Sequence, residues 1–77
     1  MEEKIKNILK KITKNDKPDM WDEEYQFYPG ELDSLDMATL AMNLEEEFSI
    51  IISDEMLSNI NTLTNIKDYI KTFLETK

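Results

Sequence analysis

The sequence predicts an all-α fold, a small bundle of three main helices and one short helix, with a long aromatic loop between helices one and two. Apolar residues recur with helical spacing in three stretches. The one β-branched run, residues 50–52, has no second strand to pair with. A chain of 77 residues can bury only one modest core, so residues 1–77 are expected to form a single domain.

The first helix is predicted over residues 2–13. Ile5, Ile8, Leu9 and Ile12 follow the i, i+3, i+4, i+7 pattern of an apolar helix face, with Lys on the opposite face and in the last turn. Pro18 prevents the helix from resuming after its predicted end before Asn15.

Residues 14–33 are predicted to be a long connection, and loops of this length are uncommon without a reason. The segment holds two prolines, the only glycine and four aromatic residues, Trp21, Tyr25, Phe27 and Tyr28. We expect these rings to pack over the core rather than to bind a ligand, with a short helical turn near Met20 to Tyr25.

The second helix is predicted over residues 34–48, and the short and final helices follow it. Asp33 is a good N-cap, and Asp36 stands where a capping box places its acid. Residues 50–52 are expected to be a buried, extended connector, followed by a short helix over 54–60 capped by Ser53. Thr62 or Thr64 is expected to cap the final helix, residues 65–75, whose predicted inner face is Ile66, Tyr69, Ile70, Phe73 and Leu74.

Helix two carries two apolar stripes, although a small bundle can bury only one of them well. At roughly 100° per residue, one stripe is the predicted core face, formed by Met37, Leu40, Ala41, Leu44 and Phe48. The other stripe has acidic edges and consists of Leu35, Ala38, Met42, Glu45 and Glu46. It has the composition of a partner-docking face, with Met42 as an adaptable contact. The alternative is that the aromatic loop covers it.

Composition excludes several classes of function. The chain has no His and no Cys, so it cannot hold a Ser-His or Cys-His nucleophile pair, a histidine base or a His-bearing zinc site. Ser34 is not expected to be a catalytic nucleophile, because there is no G-x-S-x-G pattern and no suitable Lys close in sequence. No calcium-loop pattern occurs, so no metal site is expected. Any chemistry must come from a group that the chain carries or from a partner.

Charge is the sharpest compositional feature, with nine Lys against seventeen acids and a net charge of −8. Residues 1–17 hold six Lys and three acids, while residues 18–77 hold three Lys and fourteen acids. Such a field repels nucleic acid and attracts basic protein partners. The N-terminus lacks a signal-peptide core, and no stretch is apolar enough to span a membrane, so a cytoplasmic monomer without membrane insertion is expected.

Ser34 lies at the predicted N-terminus of helix two, where free backbone N–H groups and the helix dipole favour an anion. A phosphodiester on its hydroxyl would start in a favourable place, partly offset by Asp33 and Asp36. From the residues alone, an Asp-Ser-Leu-Asp sequence at a helix start is far more often plain capping than an attachment site, and the serine could equally be a kinase target.

A longer set of motifs resembles the acyl carrier protein family. It comprises the D-S-L of Asp33 to Leu35, the L-E-E-E-F of 44–48, the I-S-D-E of 52–55 and the D-Y-I of 68–70. The match covers roughly residues 30–70 at the family's mutual spacings, and helix one agrees in pattern only. The resemblance implies an acyl-carrier-protein-like fold and a single carrier domain over 1–77 that is not itself an enzyme.

The resemblance also implies a prosthetic group and partners. In the family, a phosphopantetheinyl transferase moves 4′-phosphopantetheine from coenzyme A to the serine that matches Ser34, and acyl or aminoacyl groups ride on the arm as thioesters. Acyl- or aminoacyl-transferring and ligating enzymes with basic patches dock on helix two. The corresponding positions here are Asp33, Leu35, Asp36, Ala38, Met42, Glu45 and Glu46.

The approach to the serine departs from many fatty-acid carriers, which read D-L-G-A-D-S where this chain has Pro29-Gly30-Glu31-Leu32-Asp33-Ser34. The G-x-L-D-S form is similar to some stand-alone carriers of specialised pathways, including D-alanyl carriers. Ser53 stands where Pro is common, and Trp21 is atypical of the fatty-acid branch. Fatty-acid, polyketide, D-alanyl and peptidyl pathways therefore stay open, as does an acidic helical interaction module without a prosthetic group.

Overall fold

The structure is a computed structural model that describes residues 1–75, and it contains only helices and loops. Three α-helices form the bundle: α1 over Glu2–Thr13, α2 over Ser34–Phe48 and α3 over Leu63–Glu75. Two short 3₁₀ helices lie between them, the first over Lys17–Met20 and the second over Asp54–Asn59. The predicted all-α bundle is confirmed, with helices one and two at the predicted bounds.

Helix α1 ends where the sequence indicates. Lys14 adopts the left-handed conformation, with φ of 59°, and its backbone N–H donates to the Lys10 carbonyl at 2.8 Å. Ile5 and Leu9 of the predicted face are fully buried, while Ile12 is only half-buried at the edge of the core.

The short helical turn in the long loop lies earlier than predicted, over Lys17–Met20 instead of near Met20 to Tyr25. Pro18 explains the shift, because its fixed φ and missing N–H suit the first turn of a helix. The turn stops at Trp21, which is extended.

The remainder of the loop is attached to the bundle at the start of α3. Phe27 donates its backbone N–H to the Asn61 carbonyl at 3.0 Å, and Thr64 donates its own to the Glu23 carbonyl at 3.1 Å. Phe27 is fully buried, and the Trp21 ring stacks on it with centroids 5.5 Å apart. The expectation that the aromatic loop packs over the core is confirmed.

Three predictions about the second half of the chain are corrected. Ile51 is 70% exposed, although the connector was expected to be buried. The Ser53 side chain makes no capping hydrogen bond, and its carbonyl instead accepts from the Met56 N–H at 3.0 Å. Helix α3 begins at Leu63, two residues early, because Thr62 is its cap and accepts the Asn65 N–H on Oγ1 at 3.0 Å.

The core lies between the three helices and is closed by residues from the loops. It contains Ile5, Ile8, Leu9, Phe27, Leu32, Met37, Leu40, Ala41, Leu44, Ile50, Ile52, Ile60, Leu63, Ile66 and Ile70.

Of the predicted inner face of α3, Tyr69 and Phe73 are half-buried. Leu74 is 42% exposed, so that prediction is wrong, because the last turn of α3 extends beyond the core. No helix within residues 1–75 is both long and apolar enough to cross a lipid bilayer.

One lysine connects three parts of the fold. Lys67 Nζ of α3 lies 2.8 Å from Glu2 Oε1 of α1 and 2.5 Å from Glu23 Oε1 of the loop. The hydrogen bonds to Glu2 and Glu23 raise the pKa of Lys67 to about 12. Lys67 in turn lowers the pKa of Glu2 below its ordinary value of 4.5.

This cluster predicts a pH-dependent contribution to stability. A carboxyl whose pKa is lowered by folding stabilises the protein above its unfolded pKa and loses that stabilisation as the pH falls through the folded value. We therefore expect Lys67→Met to be destabilised relative to wild type near neutral pH, by an amount that shrinks as the pH falls below 4.5. Urea unfolding of both proteins across this range is the measurement, and a difference that is independent of pH would contradict it.

Candidate functional site

The N-terminus of α2 is fixed by a complete capping box. Asp33 Oδ1 accepts the backbone N–H of Asp36 at 2.8 Å, and Asp36 Oδ2 accepts the backbone N–H of Asp33 at 3.2 Å. Two of the otherwise unpaired donors of this helix end are thereby satisfied. The predicted Asp33 cap and Asp36 partner are confirmed, and they hold Ser34 between them as the first residue of the helix.

The chain reaches this helix end through a tight turn. Leu32 is buried and donates its N–H to the Phe27 carbonyl at 3.0 Å, so the residue before Asp33 is anchored in the core. Gly30 has a φ of +148°, a conformation that residues with a side chain rarely adopt. The only glycine of the chain therefore stands where the turn requires one, and it sets the approach to Ser34.

Ser34 itself is exposed, and its hydroxyl makes no hydrogen bond within the part of the chain that the structure describes. As first-turn residues, Ser34 and Leu35 have backbone N–H groups without an intrahelical acceptor. An exposed hydroxyl beside such donors suits a covalently attached phosphate, which the helix dipole also favours. The neighbouring carboxylates of Asp33 and Asp36 offset part of that advantage.

The second stripe of α2 is uncovered. Leu35 is 78% exposed and Met42 is 62% exposed, with Ala38 exposed between them. The aromatic loop packs elsewhere: Trp21 stacks on the buried Phe27, and the loop backbone is hydrogen-bonded to the start of α3. The alternative that the loop covers this stripe is therefore wrong. On the other side of the helix, the predicted core stripe is buried except for Phe48, which is half-buried.

The acidic residues of the stripe differ in their surroundings. Glu46 is exposed, whereas Glu45 is half-buried and accepts the backbone N–H of Ile52 on Oε2 at 2.7 Å. The neighbouring Glu47 forms an ion pair with Lys4 of α1 at 3.5 Å. Helix periodicity alone assigned Glu45 to the docking face. It did not predict the hydrogen bond between Glu45 and Ile52, because periodicity says nothing about the path of the connector after the helix.

Removing the cap has a predicted cost. We expect Asp33→Ala to lower the free energy of unfolding by about 1 kcal/mol, the usual loss when an N-cap acid is replaced. Ser53→Ala is the matched control, because Ser53 also precedes a helix but makes no side-chain capping bond. Urea unfolding of the unmodified proteins measures both changes, and equal losses would show that the box does not stabilise α2.

The chain matches a family model and several known proteins over most of its length. The model of the family described as phosphopantetheine attachment site matches residues 3–70. Acyl carrier protein of Coprothermobacter proteolyticus is 35% identical over 75 residues, covering 97% of this chain and 92% of the relative. Acyl carrier protein of Buchnera aphidicola is 42% identical over 71 residues (91% and 89%), and the acyl carrier protein homolog of Mycoplasma pneumoniae is 36% identical over 76 residues (96% and 88%).

Fold, site and family match together define a phosphopantetheine-dependent carrier domain, which is a protein acted on by enzymes rather than an enzyme. The chain belongs to the acyl carrier protein family. Its 4′-phosphopantetheine arm supplies the thiol that this chain lacks and holds acyl groups as thioesters. It therefore interacts with biosynthetic enzymes.

Proposed function

We propose that Ser34 is the attachment residue for phosphopantetheine. The observation that supports this most directly is its exposed, unbonded hydroxyl at the capped N-terminus of α2. In the transfer, Ser34 Oγ bonds to the phosphorus of the pantetheine phosphate, the bond to the nucleotide phosphate breaks and adenosine 3′,5′-bisphosphate leaves. We assign the hydroxyl proton to a base of the transferase, because the chain has no histidine and the carboxylates of Asp33 and Asp36 are engaged in the capping box.

Localisation of the added group tests this assignment. The unmodified protein is incubated with coenzyme A and a broad-specificity phosphopantetheinyl transferase, and peptides are sequenced by tandem mass spectrometry. We expect one phosphopantetheine per chain, on the peptide that contains Ser34 and at that residue. Attachment at another serine would contradict the assignment, and no mass increase with several transferases would contradict the carrier role.

We further propose that the exposed stripe of α2 is the surface on which partner enzymes dock. Its centre is apolar, at Leu35, Ala38 and Met42, and exposed Glu46 lies at its edge. An apolar centre with a charged rim is the usual anatomy of a protein interface, and the acidic rim favours a basic partner. Asp33 and Asp36 extend the acidic rim to Ser34, although both carboxylates also serve the capping box.

A single substitution at the centre of the stripe tests the docking face. We expect Met42→Glu to raise the KM of the transferase reaction about tenfold or more, because it places an unpaired charge in a desolvated contact. Its melting temperature should be nearly unchanged, since Met42 is 62% exposed. Met20→Glu is the matched control, at a methionine that is 89% exposed in the first short helix. Unchanged KM in Met42→Glu would remove this face from docking.

For the pathway, we propose that the cargo is an acyl group of fatty acid biosynthesis. The relatives that align over nearly their whole length are named acyl carrier proteins, which favours acyl cargo over the D-alanyl or peptidyl alternatives. The intact mass of the protein purified from its native host, together with the mass released on thioester cleavage, identifies the cargo. An amino acid on the arm would favour the aminoacyl alternative. A cytoplasmic location and a monomeric state stay predictions.

A further inference from the structure

We propose that Ile51 is a fourth apolar contact of the docking face of α2, beside Leu35, Ala38 and Met42, and that Glu45 and Tyr69 act as positioning residues for it. The occupant of the extended face is a phosphopantetheinyl transferase, which must approach this helix to reach Ser34. The inference therefore rests on the carrier function proposed above and adds a residue that lies outside α2.

Ile51 is presented to solvent by its neighbours. Ile50 is 4% exposed and Ile52 is 8% exposed, while Ile51 between them is 70% exposed. Of residues 50–52, Ile51 is therefore the one whose side chain faces solvent. The core does not require an apolar residue at position 51, because this side chain is 70% exposed. The exposed isoleucine is available to contact a partner.

The backbone around Ile51 is held by three hydrogen bonds. The Ile50 N–H donates to the Glu45 carbonyl at 3.3 Å, and the Ile52 N–H donates to Glu45 Oε2 at 2.7 Å. The Tyr69 hydroxyl of α3 donates to the carbonyl of Ile51 itself at 2.5 Å. A side chain on a fixed backbone loses less conformational entropy when a partner covers it, which makes Ile51 a preorganised contact.

The hydrogen bond to Glu45 connects the Ile51 segment to the C-terminal end of the docking face. Glu45 lies three residues after Met42, on the same side of α2, and its carboxylate accepts the backbone N–H of Ile52. The 15 residues of α2 span about 22 Å, so one partner of ordinary interface size can cover Ser34 and Ile51 together.

The charges around Ile51 suit a basic partner. Glu46 precedes the segment, Asp54 and Glu55 follow it, and all three are exposed. No lysine or arginine occurs between Lys17 and Lys67. The partner surface that would complement Ile51 is therefore an apolar pocket with a basic rim. The exposed stripe of α2 requires a partner surface of the same kind.

Kinetics of phosphopantetheine transfer test the contact. With unmodified protein, coenzyme A and a broad-specificity transferase, we expect Ile51→Ser to raise KM about fivefold or more, with kcat and the melting temperature nearly unchanged. Met20→Ser, at another exposed apolar residue, should leave KM unchanged. Wild-type KM in Ile51→Ser, or an equal rise in Met20→Ser, would overturn the proposal. If wild-type protein is not modified at all, the carrier function itself fails.

Variants of Glu45 test the positioning role. Glu45→Gln keeps an oxygen that can accept the Ile52 N–H and should retain a KM near that of wild type, whereas Glu45→Ala should raise it. In the Ile51→Ser background, Glu45→Ala should add little, because the contact that it positions is already gone. If Glu45→Gln is as impaired as Glu45→Ala, Glu45 acts by its charge and the positioning role is wrong.

Discussion

Ser34→Ala is expected to abolish the addition of phosphopantetheine while leaving the fold unchanged. Ser34 is exposed and its hydroxyl bonds to nothing in the described chain, so the substitution removes no contact from the bundle. Alanine is also a better helix former than serine within α2. The loss of modification would therefore reflect the missing oxygen nucleophile alone. Intact-mass spectrometry after incubation with transferase and coenzyme A measures the effect.

Two comparisons separate this result from unfolding and from modification elsewhere. Ser53→Ala removes another exposed hydroxyl at the start of a helix and should be modified like wild type. Urea unfolding of Ser34→Ala should give a midpoint within experimental error of the wild-type value or slightly above it. A Ser34→Ala protein that still gains the mass of one phosphopantetheine would show that the arm is attached at another residue.

The elements around Ser34 could be predicted from sequence because each depends on local chemistry. The periods of α1 and α2 repeat within two helical turns, and the two hydrogen bonds of the capping box join Asp33 and Asp36, three positions apart. The exposed stripe of α2 also follows from local geometry, because one helix cannot bury two separated faces in a bundle of this size.

The path of the connector after α2 and the start of α3 depend on contacts between residues far apart in sequence, so the sequence left them open or predicted them wrongly. The hydrogen bond between Glu45 and Ile52 joins residues seven positions apart, and the one between Tyr69 and Ile51 joins residues eighteen positions apart. Periodicity gives no information about such pairs. The same holds for the start of α3, where both Thr62 and Thr64 are plausible caps. Thr64 is instead used by the loop, since its hydroxyl donates to Glu24 Oε1 at 2.6 Å.

Phe27 is the residue through which the long loop stabilises the bundle. It is fully buried, it receives the Trp21 ring and its backbone bonds to Asn61 and Leu32. The carbonyl that accepts from Leu32 also orders the turn that leads to Asp33 and Ser34. A core defect at this position should therefore weaken the fold and the approach to the attachment residue together.

We expect Phe27→Ala to lower the free energy of unfolding by about 3–5 kcal/mol, the range for removing a buried aromatic ring. Small domains are often only about 5 kcal/mol stable, so a measurable fraction should be unfolded at room temperature. Tyr25→Ala is the matched control: this ring also contacts Trp21 but is 39% exposed, and the loss should be about 1 kcal/mol or less. Urea unfolding followed by circular dichroism measures both. Equal, small losses would mean that the loop only covers the core without stabilising it.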